Sequence, residues 1–255
     1  MFHHFHIAAS LMLLTTAGAD RLLAQDPADL AAMLQQRDFD GVIKATDNVE
    51  AGSALLRARA VALQQRGVAR FFDARIKESI EDFDAYLTIH PEEDPFHWQR
   101  GIDYYYAGEY EKGVAQFERH QTVNTQDVEN AVWHFLCAVR QKGGSVEAAR
   151  RQFINIQQDS RVPMAEVHQL FAGTGSVEAV LAAAEGNSAS GEELKNQRCY
   201  AHLYLGLYCE ALGDEAGMKK HIALAANDYR MNHYMGKVAQ VHAKLRGIAL
   251  TPGDK

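Results

Sequence analysis

The sequence is poor in cysteine, with 3 in 255 residues. So few thiols exclude the dense disulfide framework of many small secreted domains. Proline is also scarce, at 5 residues, and 47% of the chain is hydrophobic, which together exclude a disordered chain. Basic residues are fewer than acidic ones. The chain has 26 Lys and Arg and 33 Asp and Glu, which gives a net charge of −7. This balance argues against a nucleic-acid binder, which needs a clustered positive surface.

The chain also lacks the short signatures of common enzyme sites. It contains no H-E-x-x-H, G-x-S-x-G or C-x-x-C motif and no glycine-rich phosphate loop. Its three thiols, Cys137, Cys199 and Cys209, fall in predicted helices, where cysteine usually acts as a small buried hydrophobe. We therefore predict a protein that is not an enzyme and has no catalytic residue, cofactor or metal site.

Residues 1–19 contain no Lys, Arg, Asp or Glu. The apolar stretch at 7–14 is too short to span a bilayer as a helix. Ala17-Gly18-Ala19 fits the small-residue rule for signal peptidase, and a second cleavage position follows Ala24. We predict that residues 1–24 are a signal peptide and that the mature chain, without a transmembrane span, is exported to the periplasm or secreted. Because the usual positive n-region is missing, a buried N-terminal helix or an uncleaved anchor stays open as an alternative.

A histidine tract at the N-terminus, His3, His4 and His6, has the composition of a metal-binding segment. It falls within the predicted leader, so we assign it no metal site.

The remainder of the chain is predicted to be helical. Strand signals are nearly absent, and apolar residues recur at intervals of three and four, as at Ile76, Ile80, Phe83 and Leu87. The expected fold class is therefore all-α.

Two consecutive stretches, 60–93 and 94–127, align at a period of 34 residues. Each reads as a helix, a turn and a second helix. Small residues and aromatic residues recur at the same phase, a pattern that lets two helices approach closely while large rings fill the space beside them. The aligned positions are Gly67 with Gly101, Phe71 with Tyr105, Ile76 with Tyr110, Ser79 with Gly113, Ile80 with Val114, and Phe83 with Phe117.

This pattern resembles the tetratricopeptide repeat, and a third match lies at 199–232. The matching residues are Gly67, Ser79, Phe83 and Pro91 in the first repeat; Gly101, Tyr104, Gly108-Glu109-Tyr110, Gly113 and Phe117 in the second; and Leu205-Gly206, Gly213-Asp214 and Ala225 in the third. The resemblance implies a right-handed α-solenoid of helix-turn-helix repeats with a C-terminal capping helix.

We divide the chain on this basis. The segments are the signal peptide at 1–24, a degenerate N-terminal repeat at 25–59, two well-formed repeats at 60–127, degenerate helical repeats at 128–198, and a C-terminal repeat plus capping helix at 199–255. The loop-like stretch 185–191 interrupts the solenoid. A basic amphipathic helix at 236–248 is expected to form a solvated cap.

In this family, the first helices of the repeats line a concave groove. Carried over to this sequence, the family's groove positions are Gln64, Val68, Phe72, Trp98, Ile102, Tyr105, Tyr106, Leu203 and Leu207. The middle of such a groove is aromatic, and Trp and Tyr are favoured contact residues. The alternative interpretation is that these aromatic residues belong to the core and pack against the adjacent repeat. Some members of the family bind a C-terminal carboxylate through Lys, Asn and Arg side chains of successive first helices. The matching positions here hold Gln64, Val68, Trp98 and Ile102, so the sequence argues against this kind of binding.

The sequence therefore favours a non-catalytic scaffold or adaptor in the cell envelope, with a partner peptide or helix in its groove. One alternative is an envelope enzyme, or an enzyme accessory subunit, with a site in the irregular region 160–195. Another is a self-assembling structural solenoid. In that hypothesis a weak homo-oligomer forms when the acidic segment 73–94 meets the basic segment 215–248 of a second copy.

Overall fold

The computed structural model describes residues 26–47, 49–50, 52–186 and 188–252. The predicted signal peptide and its histidine tract lie outside these residues. All regular secondary structure in the described part of the chain is helical and none of it is strand, which confirms the all-α class. Its α-helices are α1 (Pro27–Gln35), α2 (Phe39–Ala45), α3 (Ala54–Phe72), α4 (Ile76–Ile89), α5 (Trp98–Ala107), α6 (Tyr110–Gln121), α7 (Val128–Arg140), α8 (Val146–Arg151), α9 (Met164–Ala172), α10 (Val177–Glu185), α11 (Gly191–Leu212), α12 (Glu215–Ala223) and α13 (Tyr234–Leu245). A 3₁₀ turn covers Pro91–Phe96, and a π-helical turn covers Leu224–Asp228.

Local capping explains where several helices begin and end. The Ser53 hydroxyl accepts a hydrogen bond from the backbone N–H of Leu56 at 3.2 Å, which starts α3. Helices α5 and α11 end at Gly108 and Gly213, whose φ angles of +78° and +77° lie in the left-handed region that favours glycine.

Two boundaries differ from those expected from the repeat pattern. Helix α3 already begins at Ala54, so the expected boundary at residue 60 falls inside a helix. Helix α11 likewise begins at Gly191, before the expected boundary at residue 199. The early start of α3 has a packing reason, because Leu55 and Ala58 pack against a small separate core that contains Ala62 and residues of α1 and α2. The other members of that core are Leu30, Phe39 and Val42.

The same close contact recurs in three helix pairs, α3/α4, α5/α6 and α11/α12. In each pair the first helix carries a buried glycine, and a Cβ atom placed there would lie within 2.6 to 2.7 Å of a large apolar side chain of the second helix. The pairs of residues are Gly67 with Phe83, Gly101 with Phe117, and Gly206 with Ile222. Glycine at these positions is what allows the two helices to pack this closely.

Helix α13 does not form the solvated cap that the sequence predicts. It packs against α3 as well as α11 and α12, so the end of the chain contacts its N-terminal half. Its buried residues are Met235, Gly236, Val238, Ala239, Val241, His242 and Ala243. Buried side chains on more than one side of a twelve-residue helix require neighbours on more than one side.

No helix in the described part of the chain combines the length and the apolar character needed to cross a membrane.

Candidate functional site

Most of the predicted groove residues lie in one hydrophobic core. Ile102, Tyr105, Leu203 and Leu207 are buried. Phe72, Trp98 and Tyr106 are half-buried and pack against the same core. The remaining two are half-buried: the Gln64 side chain hydrogen-bonds the Nε2 atom of His97 at 2.9 Å, and Val68 does not belong to that core cluster.

The aromatic residues of this surface surround Tyr234, the first residue of α13. The Tyr234 ring lies 5.7 Å from the Phe71 ring and nearly parallel to it. Its centroid is 5.2 Å from that of Phe72 and 4.7 Å from that of Trp98, the latter in an edge-on arrangement. We call Phe71, Phe72 and Trp98 the aromatic box. We call the face of α3 and α5 that carries the aromatic box their inner surface, and Tyr234 of α13 packs against it.

Glu210 fixes the other end of α13. Its carboxylate accepts a hydrogen bond from the Tyr105 hydroxyl at 2.5 Å and another from Nε of Arg246 at 2.5 Å. Arg140 lies 3.6 Å and His242 3.8 Å from the same carboxylate. The hydroxyl of Tyr106 is in turn 3.1 Å from Nδ1 of His242. This Glu210 network joins α5, α7, α11 and α13.

Burial and neighbouring charges together set the pKa values of the groups in this network. Burial alone would raise the pKa of Glu210, but His242, Arg246 and Tyr105 hold that pKa below its ordinary value. Burial lowers the pKa of His242 to about 4, so its ring is neutral at pH 7. Burial, together with the neighbouring Glu210 charge, raises the pKa of Tyr105 well above its usual range. At neutral pH the network thus pairs one carboxylate with two guanidinium groups.

Asp103 is a buried carboxyl group on α5 without such compensation. The residue is 0% exposed, and neither carboxyl oxygen has a hydrogen-bond partner of ordinary geometry. The neighbouring Ser79 hydroxyl donates to the backbone carbonyl of Gly67 at 2.8 Å. Burial raises the pKa of Asp103 well above its usual value, and Ser79 opposes this only in part. The Asp103 carboxyl group contributes to raising the pKa of both Tyr106 and Tyr234.

Sequence reasoning did not single out Asp103, Tyr234 or His242 as part of this surface. One signal was present for Asp103, since an acidic residue follows the apolar Ile102 in a helix predicted to face a groove. For Tyr234 and His242 the sequence offered only an amphipathic pattern at 236–248, which does not say what the helix packs against.

A second cluster of charges borders the region 160–195, in which the alternative enzyme hypothesis expected a site. Arg161 contacts the carboxylates of Asp127 at 2.6 Å, Glu129 at 3.0 Å and Asp159 at 2.5 Å. Burial raises the pKa of Glu129 to about 7 against the opposing charge of Arg161. Beside this cluster lies a cleft of about 340 Å³, lined in part by Asp159 and His168.

The His168 side chain in that cleft contacts two backbone atoms. Its Nε2 atom lies 3.0 Å from the carbonyl oxygen of Ile154 and 3.2 Å from the backbone nitrogen of Ile156. These contacts fix the extended chain between α8 and α9. Among the described residues, no three His, Cys, Asp or Glu side chains are arranged to hold a metal ion.

Several charges of the acidic and basic runs form ion pairs within the chain. Asp82 contacts Arg66 at 2.6 Å and Arg70 at 2.8 Å, and Asp84 contacts Arg100 at 2.8 Å. In the basic run, Arg246 belongs to the Glu210 network.

Comparison with known proteins yields no match, either among protein-family models or among curated proteins.

Proposed function

We propose that this chain is a non-catalytic adaptor of the cell envelope, built from tetratricopeptide-like repeats, that binds a helical segment of a partner protein on the inner surface of α3 and α5. The observation that carries the proposal is the occupant of that surface, because α13 is itself a helix seated there. A surface that holds one helix through an aromatic box and an ion-pair network has the chemistry to hold another.

The repeated glycine contact at Gly67, Gly101 and Gly206 supports the tetratricopeptide-like assignment, since it recurs at the positions that the 34-residue alignment predicts. The apolar, uncharged residues 1–19 and the small residues at 17–19 support export.

In this proposal α13 occupies the binding surface while the partner is absent, and the partner helix displaces it. The ion pair that attaches α13 lies at the edge of this surface, because the Arg246 side chain that contacts Glu210 is 30% exposed. Partly exposed ion pairs contribute little to stability, on the order of 1 kcal/mol each or less. The aromatic box would lose its hydrophobic contacts with Tyr234 and form similar contacts with the partner helix.

The test measures binding of a fluorescent peptide with the sequence of residues 231–248 to the full chain. We expect weak binding to the wild type, whose surface is occupied, and binding up to about fivefold tighter to Arg246→Ala, because loss of an ion pair worth about 1 kcal/mol shifts the competition with α13 by that factor. Adding Trp98→Ala to that variant should weaken the binding about tenfold or more, because a buried Trp is a typical anchor residue.

Phe96 supplies the matched control. It is an aromatic residue just before α5, is 52% exposed and lies outside the aromatic box. The change Phe96→Ala in the Arg246→Ala background should leave peptide binding unchanged. Equal binding by the Trp98 and Phe96 variants would show that the inner surface of α3 and α5 is not where the helix binds.

A further inference from the structure

We infer that His202 and His221 form a pH-sensitive contact between α11 and α12, which is kept when the two imidazole rings gain one proton and breaks when both rings are protonated. We call these two residues the histidine pair. The inference goes beyond the proposed function, since it concerns the packing of two helices of this chain and requires no partner.

The two rings of the histidine pair face each other through the same kind of atom. The Nδ1 atom of His202 lies 2.8 Å from Nδ1 of His221, which is a hydrogen-bond distance, and the ring centroids are 5.1 Å apart. His202 lies four residues before Gly206 in α11, and His221 is next to Ile222 in α12. A Cβ atom at Gly206 would lie 2.6 Å from the Ile222 side chain. The contact therefore borders a close approach of the two helices.

The chemistry of imidazole limits the number of protons that this contact tolerates. A neutral histidine carries one proton, on Nδ1 or on Nε2, and a protonated histidine carries both. One ring of the pair must therefore donate from Nδ1 while the other accepts at Nδ1. A first added proton can bind Nε2 of the donor ring and leave the hydrogen bond in place, now assisted by charge. A second must bind Nδ1 of the acceptor ring, so that two N–H groups would point at each other across the same short distance.

Burial adds to the cost of charging either ring. His221 is buried and His202 is half-buried. Burial, followed by the charges of His221 and Lys220, lowers the pKa of His202 to about 4. Burial and Lys220 also lower the pKa of His221. Both rings are therefore neutral at pH 7, and the hydrogen bond between them is formed.

The charged groups around the histidine pair act in both directions. Glu185 at the end of α10 and Asp228 in the π-helical turn favour protonation of the ring on α11, and Asp214 just before α12 favours protonation of the ring on α12. Glu185 also accepts two hydrogen bonds from Arg198 of α11, at 2.6 and 2.7 Å. Its charge is thus shared with a guanidinium group, and burial together with Lys220 outweighs the three carboxylates.

Tyr229 connects the histidine pair to the segment that leads into α13. Its ring stacks on that of His202, with a centroid distance of 5.3 Å and an angle of 9° between the ring planes. Tyr229 directly follows the π-helical turn at Leu224–Asp228, and such turns are rare and frequent at functional sites. A displacement of His202 would therefore be transmitted to the connection between α12 and α13.

NMR titration of the histidine Cε1–H signals in the full chain tests the contact directly. We expect the second proton to bind the pair at least about tenfold more weakly than the first, which gives two separate steps. In His221→Asn the amide group takes the place of Nδ1 without titrating, so His202 should bind its proton in one step near the first of these. A His202 titration curve that is identical in the two chains would overturn the inference.

Hydrogen exchange of α12 supplies a second readout if the chain unfolds before the second step. The wild type and His221→Asn are compared at the same pH, so that the intrinsic exchange rate cancels. We expect α12 to exchange at least about tenfold faster in the wild type at pH 4.5 and equally in both chains at pH 7.5, because opening frees two histidines rather than one to bind protons. Equal exchange at pH 4.5 would contradict the inference.

Two further variants separate the histidine pair from simpler explanations. His202→Asn should slow the exchange of α12 at pH 4.5 as His221→Asn does, and exchange at the wild-type rate would show that burial of His221 alone responds to pH. His90 lies far from α12 in the sequence and contacts Glu92 at 3.1 Å. His90→Asn should therefore leave the exchange of α12 unchanged, and an equal effect of this substitution would count against a specific role of the pair.

Discussion

At the scale of single residues, burial has different outcomes for the carboxyl groups of Glu210 and Asp103. Glu210 is surrounded by donors and by the cations of Arg140 and Arg246, and its pKa is held down. Asp103 has no cation and its pKa is raised. The first group therefore stabilises the attachment of α13 through its charge, whereas the second does not.

The Glu210→Gln substitution tests this role. Gln has nearly the same shape but removes the charge that faces both guanidinium groups, so we expect unfolding to become easier by about 1 to 3 kcal/mol. This is less than for a fully buried pair, because both arginines are partly exposed. The measurement is urea denaturation at pH 7.

Glu215 offers a control for the same chemical change. Its side chain is 74% exposed and pairs only with Lys219. Glu215→Gln should change the free energy of unfolding by about 0.5 kcal/mol or less. Equal effects of the two substitutions would mean that the Glu210 network does not stabilise the fold.

At the scale of helices, glycine positions set how closely the two members of a pair approach. A Cβ atom at Gly101 would lie 2.7 Å from the Phe117 ring, well inside normal contact distance. Helix propensity acts the other way, since Ala is about 1 kcal/mol better than Gly inside a helix. The sign of the Gly101→Ala effect therefore shows which of these terms dominates.

We expect Gly101→Ala to destabilise the chain by about 1 to 3 kcal/mol, because the overpacked Phe117 ring cannot move without shifting α6. Thermal and urea unfolding both measure this. Combining Gly101→Ala with Phe117→Leu should recover part of the loss, as the smaller side chain makes room for the new methyl group. A chain that becomes more stable with Gly101→Ala alone would contradict the close contact.

This level of structure could be predicted from the sequence to a large extent. The helical class, the turn at Gly108, and the close approach of two helices at small residues beside large rings all follow from residues close together in the chain. The start of α3 could not be predicted from the 34-residue pattern. It depends on Ser53 as a cap and on packing against α1 and α2, which are features outside the repeat.

At the scale of the whole molecule, the neutral ring of His242 links the attachment of α13 to pH. An unfolded histidine has a pKa near 6.5, whereas burial lowers the pKa of His242 to about 4. Between these two values the unfolded chain binds more protons than the folded chain. The stability that His242 contributes is therefore complete above about pH 6.5 and is lost as the pH falls towards 4.

Between pH 7.5 and pH 4.5 we expect the wild type to lose more stability than His242→Gln, because Gln has no proton to gain. Glu129, whose pKa burial raises to about 7, contributes the opposite slope equally in both chains. Burial also lowers the pKa values of His97 and His202 to about 4, so the variant keeps part of the slope. The comparison of the two chains isolates His242. Identical pH dependence in both would show that its protonation is not coupled to folding.

The sequence by itself determined the helical class and the close packing within helix pairs, because capping, periodicity and the glycine contacts act between residues near each other in the chain. Only the tertiary structure decided that α13 covers the surface predicted as a groove. The contacts responsible join residues far apart in sequence: Tyr105 and Glu210 are separated by 105 positions, Tyr106 and His242 by 136, and Asp73 and Lys244 by 171. No local pattern encodes such pairings, because they depend on where the intervening helices bring the chain back upon itself.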